Sequence, residues 1–183
     1  MGLIWAITGP PGVGKSTLVS RVVLRLKSAG VIVGGFTTVE RRVKGVRVGF
    51  DLRDLTDGRI GELASTTARM GPRVGKYRVN LTDLSTIGAE ALLRAATSSE
   101  LIVIDELGPL ELVSLDFRRA AKSCIQSGRP IIAILHERLD DDLLNEVREK
   151  AVRTFALTVE NRDVAESELG DEVMAALGTP KAS

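Results

Sequence analysis

Residues Gly9 to Thr17 read GPPGVGKST and satisfy the pattern G-x-x-x-x-G-K-S/T, with Gly9, Gly14, Lys15 and Ser16 at the specified places. The apolar run before them, Leu3 to Thr8 (LIWAIT), reads as a strand. The segment after them, Thr17 to Ser28, carries apolar residues three and four apart, the spacing of an amphipathic helix. A strand, a glycine-rich turn and a helix in that order aim backbone N–H groups and the positive helix end at one point, which suits a chain of phosphates. Such a loop belongs at the carboxyl end of a strand in an open α/β sheet.

The rest of the chain agrees. Further apolar runs at Val31 to Thr38, Leu101 to Glu106, Pro130 to His136 and Arg153 to Val159 alternate with helical periods at Thr82 to Thr97, Leu115 to Ser127, Asp141 to Lys150 and Arg162 to Leu177. This predicts an α/β fold, a mostly parallel sheet covered by helices on both faces, in which the first, third and fourth strands are central. Gly30, Gly128 and Gly178 sit just past three of the helices, where a left-handed terminating residue is often wanted. From Gly34 to Tyr77 the pattern changes. Val43, Val46, Val48, Phe50 and Leu52 alternate with polar residues around Lys44-Gly45 and Asp57-Gly58, which predicts antiparallel hairpins extending one edge of a mixed sheet. With 183 residues, 44% of them apolar, the expectation is one domain over 1–183, with a hairpin insertion over 34–80 and a frayed tail over 178–183.

Charge and cysteine usage narrow the partners. The 25 Lys and Arg nearly cancel the 24 Asp and Glu, so nucleic acid is not an expected partner. One cysteine, Cys124, and one histidine, His136, leave no basis for a zinc cluster and suit a reducing cytoplasm. The opening apolar run is too short to span a bilayer and lacks a basic lead-in, so no membrane is expected.

In the loop, Gly12 and Gly14 let the backbone turn tightly, and Pro10 and Pro11 stiffen its entry. Lys15 is expected to bridge the β- and γ-phosphates, and Ser16 to place its hydroxyl on Mg²⁺. Thr17 either bonds an α-phosphate oxygen or caps the helix. The run LIVIDELG, Leu101 to Gly108, ends in adjacent carboxylates, as the Walker B strand of P-loop proteins does. Asp105 at the strand end would support the Mg²⁺ hydration shell, and Glu106 would orient the attacking water. The plain alternative is that both carboxylates begin a solvated loop. His136, at the tip of its own strand, is either a sensor of the γ-phosphate or a strand-end histidine that caps Leu139 or is solvated.

Three further segments, GGFTTVERRVKGVRVGFDL (Gly34 to Leu52), VGKYRVN (Val74 to Asn80) and IVIDELGPLEL (Ile102 to Leu112), resemble in sequence and order the small nucleoside-triphosphatase family of thermophiles, known in animals as cancer-related nucleoside-triphosphatase. The resemblance covers about Leu3 to Val159, and Glu106, Gly108, Pro109 and Glu111 are its most specific part. It implies a RecA-like, Rossmannoid P-loop NTPase fold and hydrolysis of ATP, GTP, CTP, UTP and TTP to the diphosphate. It also implies a nucleotide site on Gly9, Pro10, Pro11, Gly12, Val13, Gly14, Lys15 and Ser16, with Thr17 adjoining, and on Leu101, Ile102, Val103, Ile104, Asp105, Glu106, Leu107 and Gly108. A common family form has isoleucine at the place of Leu107. The scarcity of aromatic residues, one Trp, one Tyr and four Phe, agrees with weak base selectivity.

The reading is a cytoplasmic, Mg²⁺-dependent nucleoside-triphosphate phosphohydrolase with Lys15, Glu106 and His136 as catalytic residues and Ser16 and Asp105 at the metal. Two rivals stand beside it. A nucleoside or nucleotide kinase would need an acceptor pocket, and a nucleotide-switched binding module would need a protein partner that accelerates turnover. Arg41, Arg42, Arg47, Arg53, Arg69, Arg73, Lys76 and Arg78 could offset charge on the γ-phosphate, with Lys76 and Arg47 favoured. Glu111 reads as a loop carboxylate at the rim, Cys124 and Trp5 as packing, and Asp140 to Asp142 as the first turn of a helix.

Overall fold

The computed structural model describes residues 2–178; of the expected tail, residues 179–183 lie outside them. In chain order the elements are β1 (Ile4–Thr8), α1 (Lys15–Ser28), β2 (Val33–Val43), β3 (Val46–Asp54), β4 (Ile60–Ser65), β5 (Arg73–Val74) and β6 (Tyr77–Val79). Then come α2 (Leu81–Asp83), a π-helical stretch (Leu84–Ala89), α3 (Glu90–Ser98), β7 (Leu101–Leu107), α4 (Leu115–Gln126), β8 (Ile131–Leu135), α5 (Asp142–Lys150), β9 (Arg153–Ala156) and α6 (Arg162–Ala176).

The strands form one nine-stranded sheet in the order β5-β6-β4-β3-β2-β7-β8-β1-β9. The predicted central strands β1, β7 and β8 are interior and parallel, and their residues are buried on both faces, as continuous apolar runs require. Alternation along β7 divides them. Ile102 and Ile104 pack into one core, with Phe36, Phe117 and Cys124, beneath α3, α4 and α5; Leu101 and Val103 pack into the other, with Trp5, Ile7 and Leu169, beneath α1 and α6. This is the expected three-layer α/β arrangement, a mixed, mostly parallel sheet extended by antiparallel hairpins. Phe117, fully buried, meets Phe36 edge to face at 5.5 Å.

Strand β2 joins the two halves of the sheet. Its first residues, Val33 to Phe36, pair parallel with Leu101 to Ile104, and from Phe36 to Val43 it pairs antiparallel with β3. Lys44 and Gly45, at φ 48° and 80°, close that hairpin with the two left-handed residues its twist demands. Gly35 is forced by proximity. Its φ is 96°, and a Cβ there would stand 2.0 Å from the Val103 carbonyl oxygen.

Three expectations of extent change. The strand expected over Val31 to Thr38 begins at Val33 and runs on to Val43, because its second half has β3 as a partner. The strand from Arg153 stops at Ala156 rather than Val159, because the Asn161 side chain accepts from the Thr158 N–H and donates to the Ala156 carbonyl, turning the chain. The helix expected over Thr82 to Thr97 contains the π-helical stretch, and Asn80 Oδ1 caps its start by accepting from Asp83 N at 3.1 Å. Elsewhere the helix signals hold. Ser114 and Asp141 accept from Phe117 N (3.2 Å) and Leu143 N (2.9 Å) to cap α4 and α5, and Gly30, Gly128 and Gly178 are left-handed.

Candidate active site

The loop from Gly9 to Thr17 leaves the carboxyl end of β1, with Gly9, Gly12 and Gly14 at φ 145°, 80° and 108°. Gly9 also has no room for a side chain, since a Cβ would lie 2.7 Å from the Leu157 carbonyl oxygen. Helix α1 begins at Lys15, so Lys15 and Ser16 occupy its first turn. Its amino-terminal cap, Gly14, offers no side-chain acceptor, which leaves the first N–H groups free to meet an anion. Thr17 lies inside the helix and does not cap it, which removes that alternative. Lys15 Nζ folds back onto the loop, donating to the carbonyls of Gly9 (2.8 Å) and Pro10 (3.1 Å).

Opposite the loop, Leu101 to Ile104 lie inside the sheet at 0–1% exposure; they carry Asp105 to the strand end and do not reach the cavity. Asp105 is fully buried. Ser16 Oγ donates to its Oδ1 at 3.0 Å and Thr38 N to its Oδ2 at 3.3 Å, and burial, only partly offset by these bonds, pushes its carboxyl up to about 7. A neighbouring cation would restore the carboxylate. Among the described residues no group of three or more His, Cys, Asp or Glu could hold a metal unaided. The Ser16 hydroxyl and Asp105 together form a hard, oxygen-only pair of the kind Mg²⁺ takes when phosphate oxygens and water complete its shell. The residues fit Mg²⁺.

Between Ile104 and Leu107 the pairing of β7 with β8 slips, and Glu106 emerges into the cavity. Burial raises its carboxyl above the usual carboxylate range, against the pull of Lys15 and His136. Leu107 is buried, and Gly108 has no space for a side chain, since a Cβ would meet Glu106 Oε1 at 2.6 Å and Glu111 Oε2 at 3.2 Å. His136 also lines the cavity. Its Nδ1 accepts from Leu139 N at 3.1 Å, so in the neutral ring Nε2 carries the proton. Of the two readings of His136, the cap on Leu139 is the one observed, and the same side chain lines the cavity.

Two residues, Thr38 and Arg138, escaped the sequence reading, and a third, Glu111, lies in other surroundings than expected. Thr38 reaches Asp105 from β2, and no local spacing signals a contact that depends on which strand lies beside β7. Glu111, expected as a loop carboxylate, is 2% exposed, and burial first, then the charge of Glu106, pushes its carboxyl well above the usual range. Its place in the DELGPLEL stretch was the available signal. Of the hairpin cations, Arg42 and Arg47 line the cavity, both beside Glu40 (2.6 and 3.3 Å). Arg41 instead pairs with Asp51 and Glu62, Arg73 and Arg78 bond loop carbonyls, and Lys76 lies over the Tyr77 ring. Arg138, beyond His136, is a cavity arginine that the hairpin search missed.

A family model described as NTPase matches residues 5–170, which takes in the phosphate loop, the hairpins and the carboxylate strand. The chain belongs to the NTPase family. Within it, the chain is 43% identical over 169 residues to the nucleoside-triphosphatase THEP1 of Thermofilum pendens (91% of this chain, 93% of that one), and 40% identical over 174 residues to that of Methanosarcina acetivorans (94% and 98%). Two solved structures share the architecture. The crystal structure of THEP1 from Aquifex aeolicus superposes with a TM-score of 0.80 at 30% identity, covering 91% of this chain and 96% of that one. The solution structure of a human cancer-related nucleoside triphosphatase does so with 0.79 at 34%, covering 96% and 99%. The fold of this NTPase-family chain is that of the P-loop NTPases. No helix among its described residues is long and apolar enough to cross a membrane.

Proposed function

We propose that the chain is a cytoplasmic, Mg²⁺-dependent nucleoside-triphosphate phosphohydrolase of broad base tolerance. The observation that carries this reading is the convergence of Lys15, Glu106 and His136 on one cavity above the phosphate loop, with the Ser16–Asp105 pair at its floor. The loop's N–H groups and Lys15 bind the phosphate chain, Lys15 turning from the carbonyls of Gly9 and Pro10 to the β- and γ-oxygens. Ser16 and Asp105 would hold Mg²⁺, which when bound supplies charge neutralisation at the phosphates. Glu106, more basic than an ordinary carboxylate, accepts a proton from the attacking water. His136 Nε2–H faces the same space and senses the γ-phosphate.

Broad tolerance has its own support. On the Thr17 side of the loop a smaller cavity of about 180 Å³ is lined by Leu18, Arg21, Arg162, Asp163 and Glu166, with no aromatic ring to stack on a particular base.

Phosphate release from ATP, GTP, CTP, UTP and TTP, with and without Mg²⁺, tests the reading. Rates within an order of magnitude of one another and dependent on Mg²⁺ are expected. Glu106→Gln should lower turnover by about 10²–10⁴-fold while nucleotide still binds. Lys15→Ala should abolish it, and His136→Ala should slow turnover with little change in affinity. Full activity of Glu106→Gln would remove the general base and with it the proposed mechanism.

A further inference from the structure

Strand β8 lies between the two strands that build the site. It pairs parallel with β7, which carries Glu106, and with β1, which leads into the phosphate loop, so its carboxyl end opens on the same edge of the sheet as theirs. The turn that follows, from His136 to Leu139, is held at several points. His136 N donates to the Leu107 carbonyl at 3.0 Å, and His136 Nδ1 accepts from Arg138 N (3.4 Å) and Leu139 N (3.1 Å). From α5, Arg148 donates to the carbonyls at both ends of the turn, His136 O at 2.9 Å and Leu139 O at 3.1 Å. Its guanidinium is steadied in turn by Asn145 Oδ1 at 2.8 Å.

Arg138 stands at the tip of this braced turn and lines the cavity with Lys15, Glu106 and His136. Two other arginines line it, Arg42 and Arg47, and both pair with Glu40, at 2.6 and 3.3 Å. The Arg138 guanidinium makes no hydrogen bond or ion pair with any described residue, its neighbour Glu137 included. It is an exposed, uncommitted cation on a fixed backbone. Two residues separate it from His136, which limits the backbone between them to about 7 Å, and the long side chain adds its own reach. Transfer of a γ-phosphoryl group spreads charge over its oxygens and the leaving oxygen, and Lys15 is the only cation within the phosphate loop itself. A planar guanidinium, always charged and able to donate two parallel N–H groups, matches that need.

We infer that Arg138 is a further catalytic residue, supplied by the chain itself, whose guanidinium closes on the γ-phosphoryl group and offsets the charge that develops during its transfer. The inference rests on the hydrolytic reading above. In that step a lone pair of the water oxygen forms the new bond to phosphorus, and the bond from phosphorus to the β–γ bridging oxygen breaks. The nucleoside diphosphate leaves with that electron pair, and the water proton passes to Glu106. Arg138 donates its N–H groups to the γ-phosphoryl and bridging oxygens and is itself unchanged.

The test compares wild type, Arg138→Ala and Arg138→Lys, each as the full chain with Mg²⁺. It measures kcat for ATP, ATP affinity, melting temperature, and the affinity for ADP with aluminium fluoride, a mimic of the phosphoryl group in transfer. Arg138→Ala is expected to lower kcat by about 10²–10³-fold, the usual worth of one donor aimed at developing charge. Binding of ADP with aluminium fluoride should weaken by a comparable factor. ATP affinity and melting temperature should stay close to wild type, because the side chain holds no contact in the fold. Arg138→Lys, which keeps the charge and loses the fork, should fall between the two. Turnover of Arg138→Ala at the wild-type rate would make Arg138 a solvated surface residue and overturn the inference while leaving hydrolysis standing. A loss of ATP affinity as large as the loss of rate would assign Arg138 to ground-state binding and overturn it as well. No phosphate release by the wild type would overturn both readings.

Discussion

Two carboxylates, the half-buried Glu106 and the buried Glu111, both stand close to Gly108, and their different electrostatic surroundings give them different duties. Glu106 has Lys15 and His136 to favour its charge; Glu111 has burial and the charge of Glu106 against its own, so it holds its proton far above the usual carboxylate range. Replacing a neutral acid with a neutral amide of the same shape changes little. Glu111→Gln should therefore keep turnover within a few-fold of wild type and stability within about 1 kcal/mol, measured by phosphate release and denaturant unfolding, whereas Glu106→Gln is expected to be nearly inactive. A large loss in Glu111→Gln would mean that Glu111 works as a charged group. Lys15, Ser16, Asp105 and Glu106 were legible because each sits at a fixed offset within one short motif, strand and turn included. Thr38 and the burial of Glu111 were not, since both depend on neighbours distant in the chain.

Helices α4 and α5 are tied by a single side-chain fork. Arg118 on α4 donates to both oxygens of Asp141 at 2.8 and 3.2 Å, and Asp141 also caps α5. The Arg118 guanidinium is the main reason that the Asp141 carboxyl is held below the usual range. A depressed carboxyl contributes stability above its unfolded pKa and loses it as pH falls through the folded value. Arg118→Ala should cost roughly 1–2 kcal/mol near neutral pH, and the difference from wild type should shrink as pH drops below about 4. Urea titrations of both proteins across that range check it; a gap independent of pH would point to packing alone. Helical period revealed every long helix among the described residues. It could not reveal the π-helical stretch before α3, which keeps the same apolar face, or the length of β2, which its pairing with β3 decides.

The order of the strands places the hairpins, and it was the least legible feature, because apolar runs announce strands without naming their neighbours. The expectation that the hairpins extend one edge holds, but they reach the site only because β2 lies directly beside β7, and that contact depends on Gly35. Gly35→Ala would press a methyl group onto the Val103 carbonyl in a left-handed residue, and the expected cost is on the order of 3–5 kcal/mol. Melting measurements with and without ATP would show it, and a variant of ordinary stability would mean that the two strands can part without harm. The same sheet divides the interior in two, with Trp5, the single tryptophan, on one side and Cys124, the single cysteine, on the other. Each half of the protein therefore carries its own built-in reporter. The indole, hydrogen-bonded to Glu172 at 2.9 Å, will change its emission when the α1–α6 layer opens. The Cys124 thiol, fully buried and pushed up to about 12, will stay silent to thiol reagents until the α3–α4 layer opens. If fluorescence and thiol labelling trace the same denaturant midpoint, the molecule melts as one cooperative unit; separate midpoints would show that each layer yields on its own.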